Sequence, residues 1–201
     1  MMFKANIYSQ LGANNHSKHT REENDFYATD PIAVEKFLEQ INKDGVKLSD
    51  GIWECATGQN HIANVLKNHG YKVYKSDIVD RCGSIDSIID FLETDINPVP
   101  KYDILTNPPY KTGLAFVKKA LSLLKEDGQR AIFFLKIQFL EGKSRYSFFQ
   151  ENPPKYVYVH SSRMNCVRGG RFEEYQSSAV CYAWYVFEKG FKGDTIIRWI
   201  K

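Results

Sequence analysis

The stretch GIWECATGQNHIANVLKN, residues 51–68, decides the fold class of this chain. Its first six residues predict a short buried strand, and residues 57–60 predict a turn. Residues 61–68 carry apolar side chains at helical spacing, and Gly70 follows as a helix stop. A strand, a turn of small residues and a helix N-terminus form the first unit of a cofactor-binding α/β sheet. The stretch therefore predicts an α/β protein with a cofactor loop before the helix.

Acidic residues end the next two predicted strands. Residues 71–76 predict a strand that ends on Asp77. An acidic residue at the end of the second strand of such a sheet commonly holds the hydroxyl groups of a ribose. Residues 85–91 predict a further strand that ends on Asp90 and Phe91. The Asp90 carboxylate can accept a hydrogen bond from an adenine amino group, and the Phe91 ring can cover the adenine face.

A short motif, Asn107-Pro108-Pro109-Tyr110, ends the apolar run of residues 102–106. The Asn107 side-chain oxygen and the Pro108 carbonyl can point at one spot, and the two prolines fix φ and donate no backbone hydrogen bond. Tyr110 offers a flat face beside that spot. The motif therefore suits a planar substrate that bears an NH2 group. The alternative is a turn that only terminates the strand.

Such a substrate poses a specific chemical problem. The lone pair of an exocyclic amine or an amide is delocalised into its π-system, so the nitrogen is a poor nucleophile. Two acceptors placed for a tetrahedral nitrogen favour a localised lone pair and stabilise the positive charge that grows during attack. No metal is needed for this attack, but the electrophile must already be activated, as the methyl group of a sulfonium is.

These stretches resemble the amino-group methyltransferases that use S-adenosyl-L-methionine, in particular the small DNA adenine-N6 methyltransferases of phages and prophages. The resemblance extends over nearly the whole chain. It implies an α/β, Rossmann-like class I methyltransferase fold with a mostly parallel sheet and a late antiparallel strand. The segments that carry it are residues 25–31 (DFYATDP), 54–61 (ECATGQNH), 77–81 (DIVDR), 90–92 (DFL), 107–110 (NPPY), 135–142 (LKIQFLEG) and 182–190 (YAWYVFEKG).

The resemblance also implies the residues of the active site. The cofactor would be S-adenosyl-L-methionine, and Glu54 would hold its methionine amino group. The implied catalytic residues are Asn107, Pro108, Pro109 and Tyr110. The implied cofactor-binding residues are Tyr27, Thr29, Glu54, Ala56, Thr57, Gly58, Asn60, Asp77, Ile78, Asp90, Phe91 and Asn107.

The cofactor loop departs from the family pattern at Asn60, where most members have a second glycine. Asparagine tolerates a positive φ better than most residues, so the turn can still form. Its side chain can nevertheless crowd the cofactor carboxylate. The departure therefore leaves open a non-catalytic nucleic-acid-binding module that kept the methyltransferase fold.

Residues 161–178 form a long predicted loop, which favours a functional role. Its arginines can clamp phosphates, and Phe172 can stack on the second face of an extruded base. The alternative is a solvated loop whose arginines pair with Glu173 and Glu174. Lys111, directly after the catalytic motif, is equally a phosphate contact or a surface lysine. The predicted substrate contacts are Lys111, Arg163, Arg168, Arg171 and Phe172.

The substrate class is predicted as DNA, with transfer to the exocyclic N6 of adenine. RNA adenine and a protein glutamine amide remain alternatives because the same acceptor geometry suits both. Glutamine methyltransferases of release factors also carry the four-residue motif, but they usually have a helical N-terminal domain and a Gly-x-Gly cofactor loop. This chain has neither, which favours nucleic acid.

The chain length of 201 residues suits one α/β domain. We expect a polar, flexible arm at residues 1–24 and a single methyltransferase domain at residues 25–201, without a separate target-recognition domain. Recognition would then come from loops, from the arm or from a partner, either a second copy or another protein. The net charge of +3 permits nucleic-acid binding without arguing for it.

The four cysteines show no paired spacing, which indicates reduced thiols in the cytoplasm of a bacterial or phage-infected cell. We expect no metal site, since His16 and His19 are not joined by other ligands. We also expect no membrane segment and no signal peptide, because no apolar run reaches the necessary length.

Caps and periodicity predict the remaining elements. A helix should begin at Asp30-Pro31 and run to about Lys43, and a second should begin after Thr112 and run to Lys125. The residues predicted to face inward from the first helix are Ile32, Phe37, Leu38 and Ile41. Further strands are predicted at residues 131–137, 155–160, 179–187 and 195–200, with a short helix at 144–150.

Overall fold

The computed structural model describes residues 27–167, 170, 172 and 180–201. The predicted arm at residues 1–24 lies outside the described residues, as do Arg168 and Arg171.

Ten strands and four α-helices alternate along the described chain, as the strand–turn–helix pattern predicts. The strands are β1 (Ala28–Thr29), β2 (Gly51–Glu54), β3 (Lys72–Asp77), β4 (Ser87–Ile88), β5 (Asp103–Thr106), β6 (Arg130–Lys136), β7 (Tyr156–His160), β8 (Cys166–Val167), β9 (Tyr182–Glu188) and β10 (Ile196–Ile200). The helices are α1 (Pro31–Lys43), α2 (His61–Asn68), α3 (Gly113–Leu123) and α4 (Lys143–Glu151), with a 3₁₀ turn at Ile137–Leu140.

Eight strands form one sheet in the order β10-β7-β9-β6-β5-β2-β3-β4. All neighbours in this sheet pair in parallel, except that β9 lies antiparallel between β6 and β7. This arrangement confirms the predicted mostly parallel sheet with a late antiparallel strand. The remaining two strands, β1 and β8, pair antiparallel as a separate two-stranded sheet.

Helix α1 begins where the sequence predicts. The Asp30 carboxylate accepts a hydrogen bond from the backbone N–H of Ile32 at 3.0 Å, and Pro31 occupies the first helical position. The prediction for Ile32 was wrong, because its side chain is 55% exposed. Ile32 precedes the buried Ile41 by nine residues, about two and a half turns, so the two face opposite sides of the helix.

Helix α3 is shorter than predicted. It ends at Leu123 because the next residue is extended, and the Gln129 side-chain oxygen accepts from the N–H groups of Lys125 and Glu126 at 2.7 and 2.8 Å. Those N–H groups would otherwise continue the helix. The Thr112 side chain makes no cap bond to the helix, since its hydroxyl donates to the Pro109 carbonyl at 3.3 Å.

The strand predicted at residues 85–91 contracts to the two residues of β4. Its end is taken up by a turn, in which the Asp90 side chain accepts from the backbone N–H of Leu92 at 3.0 Å. Asp90 and Phe91 therefore leave the sheet on a turn rather than on a strand.

Both faces of the central strands are buried, which explains why the aromatic residues of β9 are buried on both sides of the strand. Alternation along a half-buried strand would bury one of its faces. In the structure Trp184 and Tyr185 are both fully buried although they point to opposite faces. Strand β9 lies inside the sheet, so its buried run is near-continuous. The aromatic residues of β9 therefore belong to the core.

The side chain of His160 is buried at the end of β7, edge-on to the Phe134 ring at 5.8 Å. Neither ring nitrogen has a hydrogen-bond partner among the described residues. Burial, with a smaller contribution from the positive charge of Lys36, lowers the pKa of His160 to about 4. His160 is therefore neutral in the folded protein at neutral pH.

We expect His160 to make the fold sensitive to acid. The unfolded chain binds a proton below about pH 6.5 and the folded chain only near pH 4, so stability falls as the pH falls through this interval. The loss attributable to this group reaches about 3 kcal/mol. Urea unfolding of the wild type and His160→Leu at pH 7, 6, 5 and 4 measures it. Between pH 7 and pH 4 the leucine variant should lose less of its free energy of unfolding than the wild type. Equal losses in the two proteins would contradict this role of His160.

Candidate active site

A cavity of about 370 Å³ opens at the edge of the sheet where β2, β3 and β5 end. Parallel strands all direct their carboxyl ends to this edge, so residues distant in sequence meet there. The predicted site residues that line the cavity are Tyr27, Thr29, Glu54, Ala56, Thr57, Asp77, Ile78, Asp90, Phe91, Asn107, Pro108, Pro109, Tyr110 and Lys111.

The cofactor loop adopts the turn expected of it. Asn60 has φ 65° and ψ 18°, a left-handed conformation that asparagine tolerates. Its side chain points into the loop, where the oxygen lies 3.0 Å from the Thr57 hydroxyl, whose single hydrogen it shares with Glu54, and the nitrogen donates to the Ser84 hydroxyl at 2.8 Å. Neither Asn60 nor Gly58 lines the cavity. In this conformation the Asn60 side chain therefore does not crowd the cavity.

Glu54 is the most deeply buried acid of the cavity, with 1% exposure. Its carboxylate accepts a hydrogen bond from the Thr57 hydroxyl at 2.9 Å. Burial raises the pKa of Glu54 well above its ordinary value, and the nearby Asp77 carboxylate raises it further. A cationic group bound beside Glu54 would offset this desolvation, so the position suits an ammonium.

Asp77 ends β3, and its carboxylate accepts three hydrogen bonds. It accepts from the backbone N–H of Gly58 at 2.8 Å, from that of Val79 at 3.2 Å and from the Arg81 guanidinium at 3.1 Å. Arg81 also lines the cavity, although the sequence analysis did not select it. The available signal was its position four residues after the predicted ribose-binding acid.

The wall between these two acids and β5 is apolar. Phe91 is 2% exposed and packs between Trp53, at 5.3 Å between ring centroids, and Phe116, at 5.0 Å. Ile78, directly after Asp77, is 49% exposed and also lines the cavity. An apolar wall next to the exposed Asp90 carboxylate suits a flat heterocycle with an amino group.

Asn107 has an amide whose orientation is determined by its surroundings. Its nitrogen donates to the Tyr27 carbonyl at 3.2 Å and to the Thr29 hydroxyl at 2.9 Å. A backbone carbonyl only accepts, so the nitrogen must face it and the oxygen must point the other way. That oxygen, Oδ1, is buried and has no hydrogen-bond partner among the described residues. Asn107 thus presents an unpaired acceptor beside the buried Pro108.

Tyr110 packs within a group of aromatic rings. It stacks on Tyr27 with 5.8 Å between centroids and 28° between planes, and its hydroxyl donates to that of Tyr182 at 3.2 Å. The Lys136 ammonium lies 4.8 Å from the Tyr110 ring centroid, a contact that the sequence analysis missed. Burial raises the pKa of Tyr110 well above its ordinary value, so the phenol stays neutral.

The predicted substrate contacts are only partly brought to the cavity. Lys111 lies on its wall. Arg163 contacts the sulfur of Cys181, and Phe172 packs edge-on against His61 at 5.4 Å; Arg163 and Phe172 do not line the cavity. His61 does line it, and burial lowers the pKa of this histidine. Arg168 and Arg171 lie outside the described residues.

The described parts of the chain hold neither a metal-ion cluster nor a helix that could span a membrane. No group of three or more His, Cys, Asp or Glu side chains there is arranged to hold a metal ion. No helix in the same parts has the length and apolar character needed to cross a bilayer.

Sequence comparison identifies no relative: no protein-family model matches this chain, and no curated protein is similar enough in sequence to count as a match. Comparison of structures is informative. The methyltransferase subunit of a type I restriction-modification system from Streptococcus thermophilus is similar, with a TM-score of 0.60 and 14% identity. The match covers 89% of this chain and 48% of that subunit, so this chain spans about half its length.

Two smaller proteins also match. A proposed RNA methyltransferase from Pyrococcus horikoshii gives a TM-score of 0.60 at 13% identity, over 94% of this chain and 100% of that one. A proposed class I S-adenosylmethionine-dependent methyltransferase from Listeria monocytogenes gives a TM-score of 0.54 at 13% identity, over 91% of this chain and 68% of that one. Likeness at such low identity establishes the fold rather than the substrate. The chain therefore has the Rossmann-like fold of the class I S-adenosylmethionine-dependent methyltransferases.

Proposed function

We propose that this protein transfers a methyl group from S-adenosyl-L-methionine to the exocyclic N6 of adenine in DNA. The observation that carries the proposal is the Asn107 Oδ1 atom, buried at the cavity wall without a partner among the described residues. Leaving a buried acceptor unpaired is costly, and an incoming NH2 group removes that cost. The acceptor thus supports an amine substrate.

The cavity fits the proposed cofactor. Glu54 suits the methionine ammonium, Asp77 suits the ribose hydroxyls, and Asp90 suits the adenine amino group. Ile78 and Phe91 supply apolar surface for the adenine ring. When bound, the cofactor supplies a methyl group already activated by a sulfonium. Glu54 and Asp77 end β2 and β3, and Asp90 follows β4; these strands are neighbours in that order, which matches the sequence of ammonium, ribose and adenine in such a molecule.

The chain's own contribution to the transfer is positioning and electrostatics. Asn107 Oδ1 and the Pro108 carbonyl would accept the two amine hydrogens and hold the nitrogen lone pair toward the methyl carbon. As the C–N bond forms, the C–S bond breaks and positive charge develops on nitrogen, where both acceptors stabilise it. The nitrogen then loses one proton to solvent, which leaves a neutral methylated amine.

Two features support nucleic acid as the substrate, whose target base would be extruded from its stack into the cavity. Lys111 on the wall and Lys136 over the Tyr110 ring place positive charge beside the acceptor position. One similar structure is a restriction-modification subunit that is about twice as long, which is consistent with target recognition by a partner.

The proposal is tested by incubating the protein with radiolabelled S-adenosyl-L-methionine and, separately, duplex DNA, single-stranded DNA, total RNA and cell protein extract. We expect label in DNA, recovered as N6-methyladenine, and none with Asn107→Ala. Label confined to RNA or protein would show that the same methyl transfer has a different class of substrate. No transfer to any acceptor, together with no cofactor binding, would favour a binding module.

A second prediction concerns the pH dependence of cofactor binding. The proposed ammonium contact requires an ionised Glu54, whose pKa is raised in the free protein by burial. Affinity for S-adenosyl-L-methionine should therefore fall as the pH falls below that raised pKa, by up to about tenfold per pH unit. Calorimetric titration at several pH values measures this effect and the proton release that accompanies binding.

Glu54→Gln should bind the cofactor weakly at every pH and lose this dependence. Because the variant removes a buried charge, it should also match or exceed the wild type in melting temperature. Glu39→Gln, which alters an exposed glutamate on α1, serves as the matched control. If cofactor affinity depended on pH in Glu54→Gln as it does in the wild type, Glu54 would not be the residue that binds the ammonium.

A further inference from the structure

The two-stranded sheet of β1 and β8 lies next to the catalytic motif. It pairs Thr29 directly with Cys166, and the backbone N–H of Asp30 donates to the Asn165 carbonyl at 3.1 Å. Thr29 is 3% exposed and Cys166 is 8% exposed. The side chains of both residues contact the Asn107 amide nitrogen, the hydroxyl at 2.9 Å and the sulfur at 3.7 Å. This small sheet is therefore the support of Asn107.

The Asn107 amide has two N–H bonds and uses both on this support. One goes to the Tyr27 carbonyl at 3.2 Å and the other to the Thr29 hydroxyl. The last torsion of an asparagine side chain is soft and roughly two-fold, so hydrogen bonds rather than rotamer preference determine which end faces the cavity. A reversed amide would present a donor to an incoming NH2 group, and two donors cannot pair.

We propose that Thr29 is a positioning residue for methyl transfer, whose hydroxyl holds the Asn107 amide with its oxygen, and not its nitrogen, toward the acceptor site. This inference rests on the proposed function and assigns Thr29 a role separate from cofactor contact. The Tyr27 carbonyl alone leaves one N–H bond of the amide without a strong acceptor, because sulfur is a weak one. The buried Cys166 thiol, whose pKa is raised to about 11, stays neutral and contributes packing and this weak contact.

The neighbouring residues explain why β1 can act as a rigid support although it has only two residues. Asp30 follows it directly and caps α1 through its carboxylate, so the end of the strand is tied to a 13-residue helix. Residues Ala33, Val34 and Phe37 of that helix are fully buried. The Thr29 hydroxyl is consequently anchored through α1 to the core, and the amide orientation is anchored with it.

Thr29→Val, which removes the hydroxyl and keeps the branched shape, is the primary test. We expect the single-turnover rate of methyl transfer to fall by about 10- to 100-fold, as for a small misplacement of a catalytic group. The dissociation constant for S-adenosyl-L-methionine should change less than about threefold. Thr29→Ser restores the hydroxyl and should restore the rate. Thr195→Val, which removes a hydroxyl that donates to the Pro154 carbonyl far from the cavity, is the matched control.

Three results would overturn the proposal. The first is an unchanged rate in Thr29→Val. The second is a loss of cofactor affinity with an unchanged rate at saturation, which would make Thr29 a cofactor contact. The third is a Thr29→Ser variant as slow as Thr29→Val, which would assign the effect to packing. Should Thr29→Val fail to fold, Thr29→Ala can replace it. Alanine removes the same hydroxyl and puts no methyl group in its place, and the same three criteria apply.

A measurement without turnover separates this inference from the proposed function. The side-chain amide signals of Asn107 are identified in a ¹⁵N-correlated NMR spectrum by their loss in Asn107→Ala. Exchange of these protons with water should be slow in the wild type and in Thr195→Val, and faster in Thr29→Val and Thr29→Ala. Equal exchange in all four proteins would refute the support of Asn107 by Thr29. A wild type that shows the expected exchange but methylates no acceptor would refute only the proposed function.

Discussion

Replacing Asn107 by alanine should reduce the single-turnover rate of methyl transfer by about 10³-fold, a loss comparable to removing one preorganised group that stabilises developing charge. The variant loses the one buried oxygen at the cavity wall that is unpaired among the described residues. Without it, only the Pro108 carbonyl remains to hold the amine and to stabilise its growing positive charge. Rapid-quench measurement of label transfer to DNA, at saturating cofactor, gives the rate.

Two further variants make this prediction specific. Asn107→Asp keeps an acceptor oxygen toward the cavity but turns a second oxygen toward the Tyr27 carbonyl, so we expect an intermediate rate. Asn97→Ala removes a different buried asparagine, whose nitrogen donates to the Leu123 carbonyl at 3.4 Å, and should leave the rate per folded molecule unchanged. An Asn107→Ala rate within tenfold of the wild type would show that this oxygen does not carry the reaction.

The second large effect is on stability. Trp184→Ala should lower the free energy of unfolding by about 4 kcal/mol, the usual cost of emptying a large aromatic site in a core. The Trp184 ring is fully buried between Phe37, at 4.6 Å, and Phe134, at 4.7 Å. Its indole N–H also donates to the Ala33 carbonyl at 3.1 Å. Guanidinium chloride unfolding monitored by far-UV circular dichroism measures the change.

Trp199→Ala provides the comparison, since this tryptophan is 67% exposed on the edge strand β10. Its replacement should cost less than about 0.5 kcal/mol, as for most surface substitutions. Trp184→Phe, which keeps a ring and removes the N–H, should cost about 2 kcal/mol because the smaller ring leaves a void and the bond to the Ala33 carbonyl is lost. Equal losses at positions 184 and 199 would contradict the core assignment of Trp184.

Local signals in the sequence predicted much of this structure well. Helix α2 has the predicted bounds of His61–Asn68, and its buried residues Ile62, Val65 and Leu66 lie at helical spacing. Asn60 adopts the positive φ that the turn requires. Predictions were poorer where a side chain replaced a backbone partner, as Gln129 does at the end of α3. Such a bond forms only once the chain has folded back on itself.

The cavity could be predicted in outline because the acids and the proline motif end consecutive strands. Lys136 and the partners of Asn107 could not be predicted. The Asn107 amide is held by Thr29 and Tyr27, 78 and 80 residues earlier in the chain, and by a sulfur 59 residues later. No local spacing records such contacts, since they depend on how β1 and β8 meet beside the end of β5.

The sequence by itself determined the fold class, the turn at residues 57–60 and the proline motif that ends β5, because periodicity, turn residues and strand ends are local properties that short-range sterics and burial translate directly into structure. Only the tertiary structure decided that β9 enters between β6 and β7, that both its faces are buried, and that the Asn107 amide nitrogen donates to Tyr27 and Thr29. Those outcomes depend on pairing between distant segments, where hydrogen-bond complementarity in three dimensions selects one arrangement among several that the local pattern permits.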